Sequence, residues 1–275
     1  MLQNSKDILT KAMKEKYAIA QFNINNLEWT KYILEESNKN KSPIILGVSE
    51  SAINYMGGYN IVYNLVVSMI KDLNISIPVV LHLDHGSTIE NCKKAIDAGF
   101  TSVMIDASKY DIEKNIEITK KVCEYAENYN VSVEAEIGSI NEKECAQVED
   151  CVKLYQNTGI LSLAPALGSA HGLYKEVPQL NFKRIEEIKN ELNIPLVLHG
   201  GTGIPDEDIV RSIDCGITKI NINTELQTVW NDEIRKYLTN NKEIYDPRKI
   251  IGSGEEKIKN VISNKLHLLG SCNKI

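Results

Sequence analysis

The chain has 275 residues, of which 43% are hydrophobic and 25% are charged, and its formal net charge is −6. This length suits one large α/β domain or two smaller ones, and the acidic balance argues against a nucleic-acid groove. We expect no membrane span, because no apolar run approaches the roughly 18 residues that one needs.

The N-terminal segment is predicted to be an amphipathic helix carrying Asp7 and Glu15. It has neither the apolar centre of a signal peptide nor the acid-poor composition of a transit peptide. The six cysteines are scattered along the chain without a CxxC pair, which is typical of reduced thiols. These features predict a cytoplasmic protein.

Eight short segments rich in Val, Ile and Leu predict parallel strands that are covered on both faces. Helical patterns lie between them, at 88–98, where a Ser/Thr cap begins the helix and Gly99 ends it, and at 112–129, 182–192 and 206–215. The strands are predicted at 19–24, 43–49, 79–84, 102–106, 132–138, 161–167, 195–200 and 217–222.

This alternation predicts a (β/α)8 barrel, formed by one domain spanning residues 1–275, since eight strand–helix units in ~250 residues fit that fold. The alternative is a doubly wound open sheet, but the glycine fingerprint that should follow its first strand is missing. In a barrel the active site lies at the C-terminal ends of the strands. Every predicted strand has polar residues at or just beyond that end.

Three of the five histidines stand at the ends of apolar runs, each followed by glycine: His85, His171 and His199. Neutral imidazole is a preferred zinc ligand, and three protein ligands with one open position form the usual catalytic zinc site. Because the ligands come from separate strands, the fold itself must assemble the site.

Acidic residues accompany these histidines. Asp84 precedes His85 and is placed either for proton transfer or to orient a histidine. Asp106 and Glu136 could orient the histidines, hold a second or displaced cation, or form structural ion pairs. His82 lies earlier in its strand and is expected to point into the barrel or to support Asp84.

The loops after strands seven and eight are where barrels commonly bind phosphate. Lys175 could neutralise a phosphate or be an ordinary surface lysine. Lys219 lies inside strand eight, where a buried lysine can form a Schiff base. The candidate phosphate-binding residues are Gly200, Gly201, Thr202, Asn221, Ile222, Asn223 and Thr224.

The motifs LHLDHG, SVMIDAS, VEAEIG, LAPALGSAHGLYK, LVLHGGTGIP, KININT and YDPRK resemble the class II, metal-dependent ketose-bisphosphate aldolases over nearly the whole chain. The short fructose-bisphosphate branch is the most similar, followed by the tagatose-bisphosphate branch. The resemblance implies a zinc-dependent (β/α)8 barrel of glycolysis that cleaves a ketose bisphosphate reversibly into dihydroxyacetone phosphate and an aldehyde. It also implies a homo-oligomer, a dimer or a tetramer.

The resemblance further implies a role for each matching residue. The three histidines would hold one catalytic zinc, and Asp106 and Glu136 match positions that can bind a second divalent or monovalent cation. Asp84 would protonate the aldehyde oxygen during condensation. Glu144 matches the acid that abstracts a proton from dihydroxyacetone phosphate, although the loop before it is shorter than in relatives and lacks their paired glycines. Substrate contacts are implied for Asn23, Ser49, Gly172, Gly200, Gly201, Thr202, Asn221, Ile222, Asn223, Thr224 and, from a neighbouring subunit, Arg248.

Two rival functions remain open at this point. A class I aldolase would use Lys219 as a Schiff-base nucleophile and would keep its activity in chelators, but the histidine motifs would then have no purpose. A non-catalytic barrel would bind zinc and a sugar phosphate without turnover.

Overall fold

The computed structural model describes residues 2–138, 145–170, 172 and 178–275. Eight parallel strands pair in chain order, and the first pairs with the last, so the sheet closes on itself. This confirms the predicted (β/α)8 barrel. The strands are β1 Ile19–Asn23, β2 Ile44–Ser49, β3 Val79–Gly86, β4 Ser102–Ile105, β5 Ser132–Ile137, β6 Ser162–Pro165, β7 Leu196–Leu198 and β8 Ile217–Ile222.

Helices surround the barrel, and within the described ranges none of them is both long and apolar enough to cross a membrane. The helices are α1 Lys6–Glu15, α2 Leu27–Lys39, α3 Glu50–Met56, α4 Tyr59–Asp72, α5 Ile89–Ala98, α6 Ile112–Glu127, α7 Val148–Thr158, α8 Phe182–Leu192, α9 Asp206–Cys215, α10 Thr224–Asn240, α11 Pro247–Gly252 and α12 Glu255–Leu268.

Local signals in the sequence define several element ends. The Thr88 hydroxyl accepts a hydrogen bond from the Asn91 amide at 3.1 Å and so caps α5. The same helix ends at Gly99, whose φ of 103° lies in the left-handed region that favours glycine. The predicted helix at 88–98 is therefore confirmed, and β8 also has its predicted bounds.

Two predicted strands are three residues longer than the observed ones, whereas four others are one residue longer. Residues 161–167 and 195–200 were expected, whereas β6 and β7 have only four and three residues. Beyond Pro165 the backbone carbonyls accept hydrogen bonds from loops: Ala166 from the Ala146 amide at 2.9 Å, and Leu167 from the Asn181 amide at 3.0 Å. The apolar run continues, but these carbonyls bind loop residues instead of β7.

Burial divides the barrel into an apolar shell and a polar interior. The largest buried cluster fills the space between the outer faces of the strands and the helices. A second cluster joins α1 to the inward residues Ile19, Ile45 and Val80, so α1 closes the N-terminal end of the barrel. Strand residues alternate between the two faces. Several of the next inward positions along the strands are polar and buried, among them Gln21, His82, Glu134 and Lys219.

The shell should carry most of the stability. Leu34 on α2 is fully buried, whereas Leu27 at the start of the same helix is about half exposed. Leu34→Ala should lower the free energy of unfolding by about 2–5 kcal/mol, because it removes buried methyl groups and leaves a cavity. Leu27→Ala is the matched control and should change it by less than about 0.5 kcal/mol. Urea unfolding of both variants measures this, and equal losses would contradict the prediction.

Candidate active site

Two of the three predicted metal histidines meet at the C-terminal end of the barrel. The rings of His85 and His199 lie 4.7 Å apart between centroids, at an interplanar angle of 68°. The third, His171, lies outside the described residues, as do the two other candidates Glu144 and Lys175. The fold thus brings together His85 at the end of β3 and His199 just after β7, at the C-terminal end of the barrel.

His85 has a backbone conformation that the sequence does not predict. Its φ is 52°, a left-handed value that is unusual for a residue other than glycine. The pairing of β3 with β4 shifts between Leu83 and Gly86, so β3 bulges at this point and runs two residues further than expected. Strain of this kind is typical of functional sites. Here it accompanies the turn of an imidazole towards the barrel mouth.

Asp106 fixes the orientation of that imidazole. Its Oδ2 accepts a hydrogen bond from His85 Nδ1 at 3.0 Å, while its Oδ1 accepts from the Ser108 amide at 3.1 Å and hydroxyl at 2.7 Å. Burial opposes the charged form, but the hydrogen bonds from His85 and Ser108 hold the pKa of Asp106 below its usual range. This contact corresponds to the predicted orienting role, and metal binding by Asp106 stays a prediction.

His199 lies between two glutamates of β5. Its Nε2 is 3.1 Å from Glu134 Oε1, and its Nδ1 is 3.4 Å from Glu136 Oε2. Burial lowers the pKa of an imidazole, but the hydrogen bonds to both glutamates raise the pKa of His199 to about 9. A carboxylate bound to one ring nitrogen fixes which nitrogen faces the site.

Among the described residues, His85, His199 and Glu136 form the group whose ligand atoms are close enough together to hold a metal ion. Each offers one ligand atom, and these atoms lie within 4.8 Å of one another. Two ligands of a tetrahedral zinc, each about 2.1 Å from the metal, are about 3.4 Å apart, the distance seen between His199 and Glu136. Because Nδ1 of His85 binds Asp106, a metal would take its Nε2. The donor set fits a divalent cation.

The charge around this cluster also favours a cation. Asp84, Glu134 and Glu136 are buried beneath or beside the two histidines. Among the described residues Lys219 is the one lysine or arginine that is buried. Buried carboxylates outnumber buried ammonium groups, and unpaired buried charge is costly.

Asp84 is held by three amide side chains. Its Oδ2 accepts from Asn23 at 2.8 Å, and its Oδ1 accepts from Gln21 at 3.0 Å and from Asn221 at 3.4 Å. Burial opposes the charged form, but the charges of His85 and His199 and the Asn23 hydrogen bond lower the pKa of Asp84. Gln21 was missed in the sequence, although its position two residues before Asn23 places it on the same strand face.

Lys219 is part of an ion pair inside the barrel. Its Nζ donates to both oxygens of Glu134, at 2.9 and 2.7 Å. The neighbouring His82 points into the barrel, which agrees with one of the two expectations for this residue. Its Nδ1 is 2.8 Å from the Ser102 hydroxyl. Burial, followed by the charge of Lys219, lowers the pKa of His82 to about 3, so this imidazole is neutral.

The predicted phosphate loops lie side by side. The Gly201 amide donates to the Asn221 carbonyl at 3.0 Å, and the Thr202 hydroxyl accepts from the Glu225 amide in the first turn of α10 at 3.3 Å. A Cβ on Gly201 would come within 2.6 Å of Ile220 Cγ2, so only glycine fits this close approach. The N-terminus of a 17-residue helix faces these loops, and helix N-termini bind anions. The structure also includes Ile222, Asn223 and Thr224 at this end of β8.

Three further candidates for substrate binding are Ser49, Gly172 and Arg248. Ser49 caps α3 and pairs with Asp84 in the register of β2 and β3, so it is at the site. Gly172 has a φ of 91°, and no atom of a described residue lies within 4 Å of the position that a Cβ would take. Arg248 is exposed on α11, and its guanidinium binds Asp246. In the described part of the chain, Arg248 makes no hydrogen bond to another candidate.

Comparison with known proteins places this chain in a family. The profile of the family described as "Fructose-bisphosphate aldolase class-II" matches residues 3–274. The chain is 51% identical to a fructose-bisphosphate aldolase of Geobacillus stearothermophilus over 99% of this chain and 98% of that protein. It is 50% identical to a fructose-bisphosphate aldolase of Staphylococcus epidermidis, which covers 99% of both chains. The chain belongs to the class II fructose-bisphosphate aldolase family.

Solved structures agree with this fold. The YdjI aldolase of Escherichia coli K12 superposes with a TM-score of 0.89 at 31% identity, covering 100% of this chain and 99% of that one. A structure from Coccidioides immitis, called a putative fructose-1,6-bisphosphate aldolase, has a TM-score of 0.86 at 26% identity, covering 97% and 96%.

The ion pair between Lys219 and Glu134 should be essential for folding stability. Lys219→Met leaves a buried carboxylate without its ammonium partner and should cost about 3–5 kcal/mol in the free energy of unfolding. The double variant Glu134→Gln/Lys219→Met removes both charges and should recover part of that loss. Guanidinium unfolding measures both variants. A loss below about 1 kcal/mol in Lys219→Met would show that the pair is not required.

Proposed function

We propose that this chain cleaves fructose 1,6-bisphosphate reversibly into dihydroxyacetone phosphate and glyceraldehyde 3-phosphate, as a zinc-dependent aldolase. The observation that carries the proposal is the His85–His199–Glu136 cluster beside Asp84, at the C-terminal end of a barrel of this family. The names of the relatives support the fructose sugar.

His85, His171 and His199 would hold the zinc, and Glu136 or Asp106 would bind a second or displaced cation. The bound divalent cation supplies stabilisation of the negative charge that develops when a proton leaves the carbon beside a ketone. The orienting contacts of Asp106 with His85 and of Glu134 with His199 support this assignment, since such partners are typical of metal-bound histidines.

Asp84 would move the proton at the oxygen of the new aldehyde. In condensation it donates a proton to that oxygen, so in cleavage it must take the proton from the same hydroxyl. Its lowered pKa keeps it as a carboxylate, which is the form that cleavage needs. The proton on the carbon of dihydroxyacetone phosphate would be removed by a different group, for which we propose Glu144.

The loops after β7 and β8 would bind one phosphate through Gly200, Gly201 and Thr202 and the start of α10. Asn23 and Ser49 lie close to Asp84 and would contact the sugar. Lys175 and Gly172 would complete the site. Phosphate contacts remote from the reacting carbons supply orientation and binding energy. Asn221, Ile222, Asn223 and Thr224 would form the far wall of the same pocket.

We also propose that residues 1–275 form a single barrel domain and that the protein is a cytoplasmic homo-oligomer. In that assembly Arg248 of one copy would reach the far phosphate in the site of its neighbour. Its exposed position on α11 supports this, because its guanidinium is directed at no other candidate of its own chain among the described residues.

Metal content tests the ligand assignment. Purified protein should contain about one tightly bound zinc per chain. His199→Ala should lose it, because a site with one histidine fewer binds zinc far more weakly. His267→Ala, on the exposed face of α12, is the matched control and should retain it. Metal analysis by mass spectrometry measures both, and full zinc content in His199→Ala would refute the assignment.

A chelator-controlled cleavage assay tests the reaction and the sugar. Activity should disappear with a chelator and return with zinc, and kcat/KM should favour fructose 1,6-bisphosphate over tagatose 1,6-bisphosphate. The two sugars differ at one carbon, so the preference should be modest. Activity that survives the chelator would favour a Schiff base on Lys219. Binding without turnover would favour a non-catalytic relative, and a clear tagatose preference would change the substrate.

Asp84→Ala tests the proton-transfer role. The variant should keep its zinc and bind dihydroxyacetone phosphate, but cleavage should slow by about two to four orders of magnitude, the usual contribution of a positioned acid or base. Steady-state kinetics and metal analysis measure the two properties. Loss of the metal together with the activity would show that Asp84 acts in holding the site together instead.

A further inference from the structure

Gln21 reaches Asp84 across an intervening strand. It lies on β1, whereas Asp84 lies on β3, and β2 pairs with both strands between them. The Gln21 side chain is fully buried, and its Nε2 donates to Asp84 Oδ1 at 3.0 Å. A contact between alternate strands of a barrel requires that the strand between them leave room on the inner face.

Gly47 on β2 supplies that room. A Cβ at this position would lie 2.5 Å from Gln21 Nε2, 2.8 Å from its Cδ and 2.9 Å from its Cγ. The Gln21 side chain therefore lies directly over the glycine. Gly47 pairs with Asn23 on one side and with His82 on the other, both of which also face inward. The side chain of Gln21 thus occupies the space that a side chain at position 47 would otherwise fill.

We propose that Gln21 is a positioning residue for Asp84, and that Gly47 is needed because the side chain of Gln21 crosses it. The proposal rests on the proposed aldolase function. Gln21 is too deeply buried to touch a substrate, so it would act through Asp84 alone. With Asn23 on Oδ2 and Gln21 on Oδ1, each carboxylate oxygen has its own amide donor, and the plane of the carboxylate is fixed.

Packing alone does not account for a glutamine at this place. Its Oε1 is buried and has no hydrogen-bond partner among the described residues, which is a cost that an apolar side chain of the same length would avoid. In the described part of the chain, the bond to Asp84 is the polar contact of this side chain that offsets the cost. A hydrogen bond to a charged acceptor is stronger than a neutral one, so the contact is suited to hold an ionised carboxylate in place.

This role predicts which chemical step depends on Gln21. Asp84 would transfer the proton at the aldehyde oxygen, whereas another group would remove the proton from the carbon of dihydroxyacetone phosphate. Loss of Gln21 should therefore slow bond cleavage and condensation. It should not slow the exchange of the dihydroxyacetone phosphate proton with solvent, which needs no transfer through Asp84.

The first test is Gln21→Met, which keeps the length of the side chain over Gly47 but removes the N–H donor. We expect kcat for fructose 1,6-bisphosphate cleavage to fall about ten- to hundredfold, the effect of a misplaced catalytic group. KM, zinc content and the rate of proton exchange should stay within about twofold. Gln156→Met, on the exposed face of α7, is the matched control and should change none of these values.

Gly47→Ala tests the second half of the proposal. Its methyl group would displace Gln21 without altering it, so the variant should show the same selective loss of kcat. In the Gln21→Ala background the added methyl group has space, and Gly47→Ala should then cost less than about twofold in kcat. Such non-additivity is the signature of two residues that act through one contact.

Wild-type kcat in Gln21→Met would overturn the proposal. Equal losses of cleavage and of proton exchange would also overturn it, because they would indicate a general disturbance of the site. Additive effects of Gly47→Ala and Gln21→Ala on kcat would refute the link between Gln21 and Gly47. Failure of the proposed aldolase function is a separate outcome, because the unaltered protein would then show neither cleavage nor proton exchange with zinc present.

Discussion

Burial of negative charge inside the barrel is the constraint on which this site depends. Asp84, Glu134 and Glu136 all lie on inward positions of the strands and are almost fully buried. Burying a neutral polar group without a hydrogen-bond partner already costs about 2–7 kcal/mol. An ionised carboxylate costs several kcal/mol or more unless specific partners replace the water. Each carboxylate has different partners. Asp84 is surrounded by amides. Glu134 is bound by Lys219 and His199, and Glu136 is faced by the imidazoles of His85 and His199.

The barrel can hold this charge because its stability comes mainly from elsewhere. The largest apolar cluster lies between the outer faces of the strands and the helices, and α1 fills the N-terminal end with a second one. The inner face is thus free to carry polar residues from the middle of the barrel to its mouth. Apolar burial of about 25 cal/mol per Å² in the shell offsets the cost of a polar interior.

Local patterns predict most of the fold, because strand and helix signals lie in adjacent residues. The Val-, Ile- and Leu-rich runs define the strands, and Thr88 and Gly99 define the ends of α5. The polar residues at the strand ends also predict where the site lies. The predicted bounds of β6 and β7 are wrong, because in each case the apolar run continues after the strand has ended.

What the sequence leaves unpredicted depends on partners far apart in the chain. Nothing near Lys219 indicates Glu134, which is 85 residues away, and nothing near Gln21 indicates Asp84, 63 residues away. The left-handed backbone of His85 likewise follows from a bulge between two strands and not from its own residue type. Pairing across the barrel is a property of strand register, which a linear pattern does not contain.

Strand register also explains why two similar glutamates of β5 act differently. Glu134 and Glu136 are two residues apart, so both side chains face inward, but they lie in successive layers of the barrel. The deeper Glu134 lies level with Lys219, which neutralises it, and it binds the inner nitrogen of His199. Glu136 lies one layer nearer the mouth, beside the outer nitrogen of the same ring, where no lysine or arginine is buried among the described residues. Depth therefore separates their surroundings: the lower glutamate binds both Lys219 and His199, whereas the upper one lies between the imidazoles of His85 and His199.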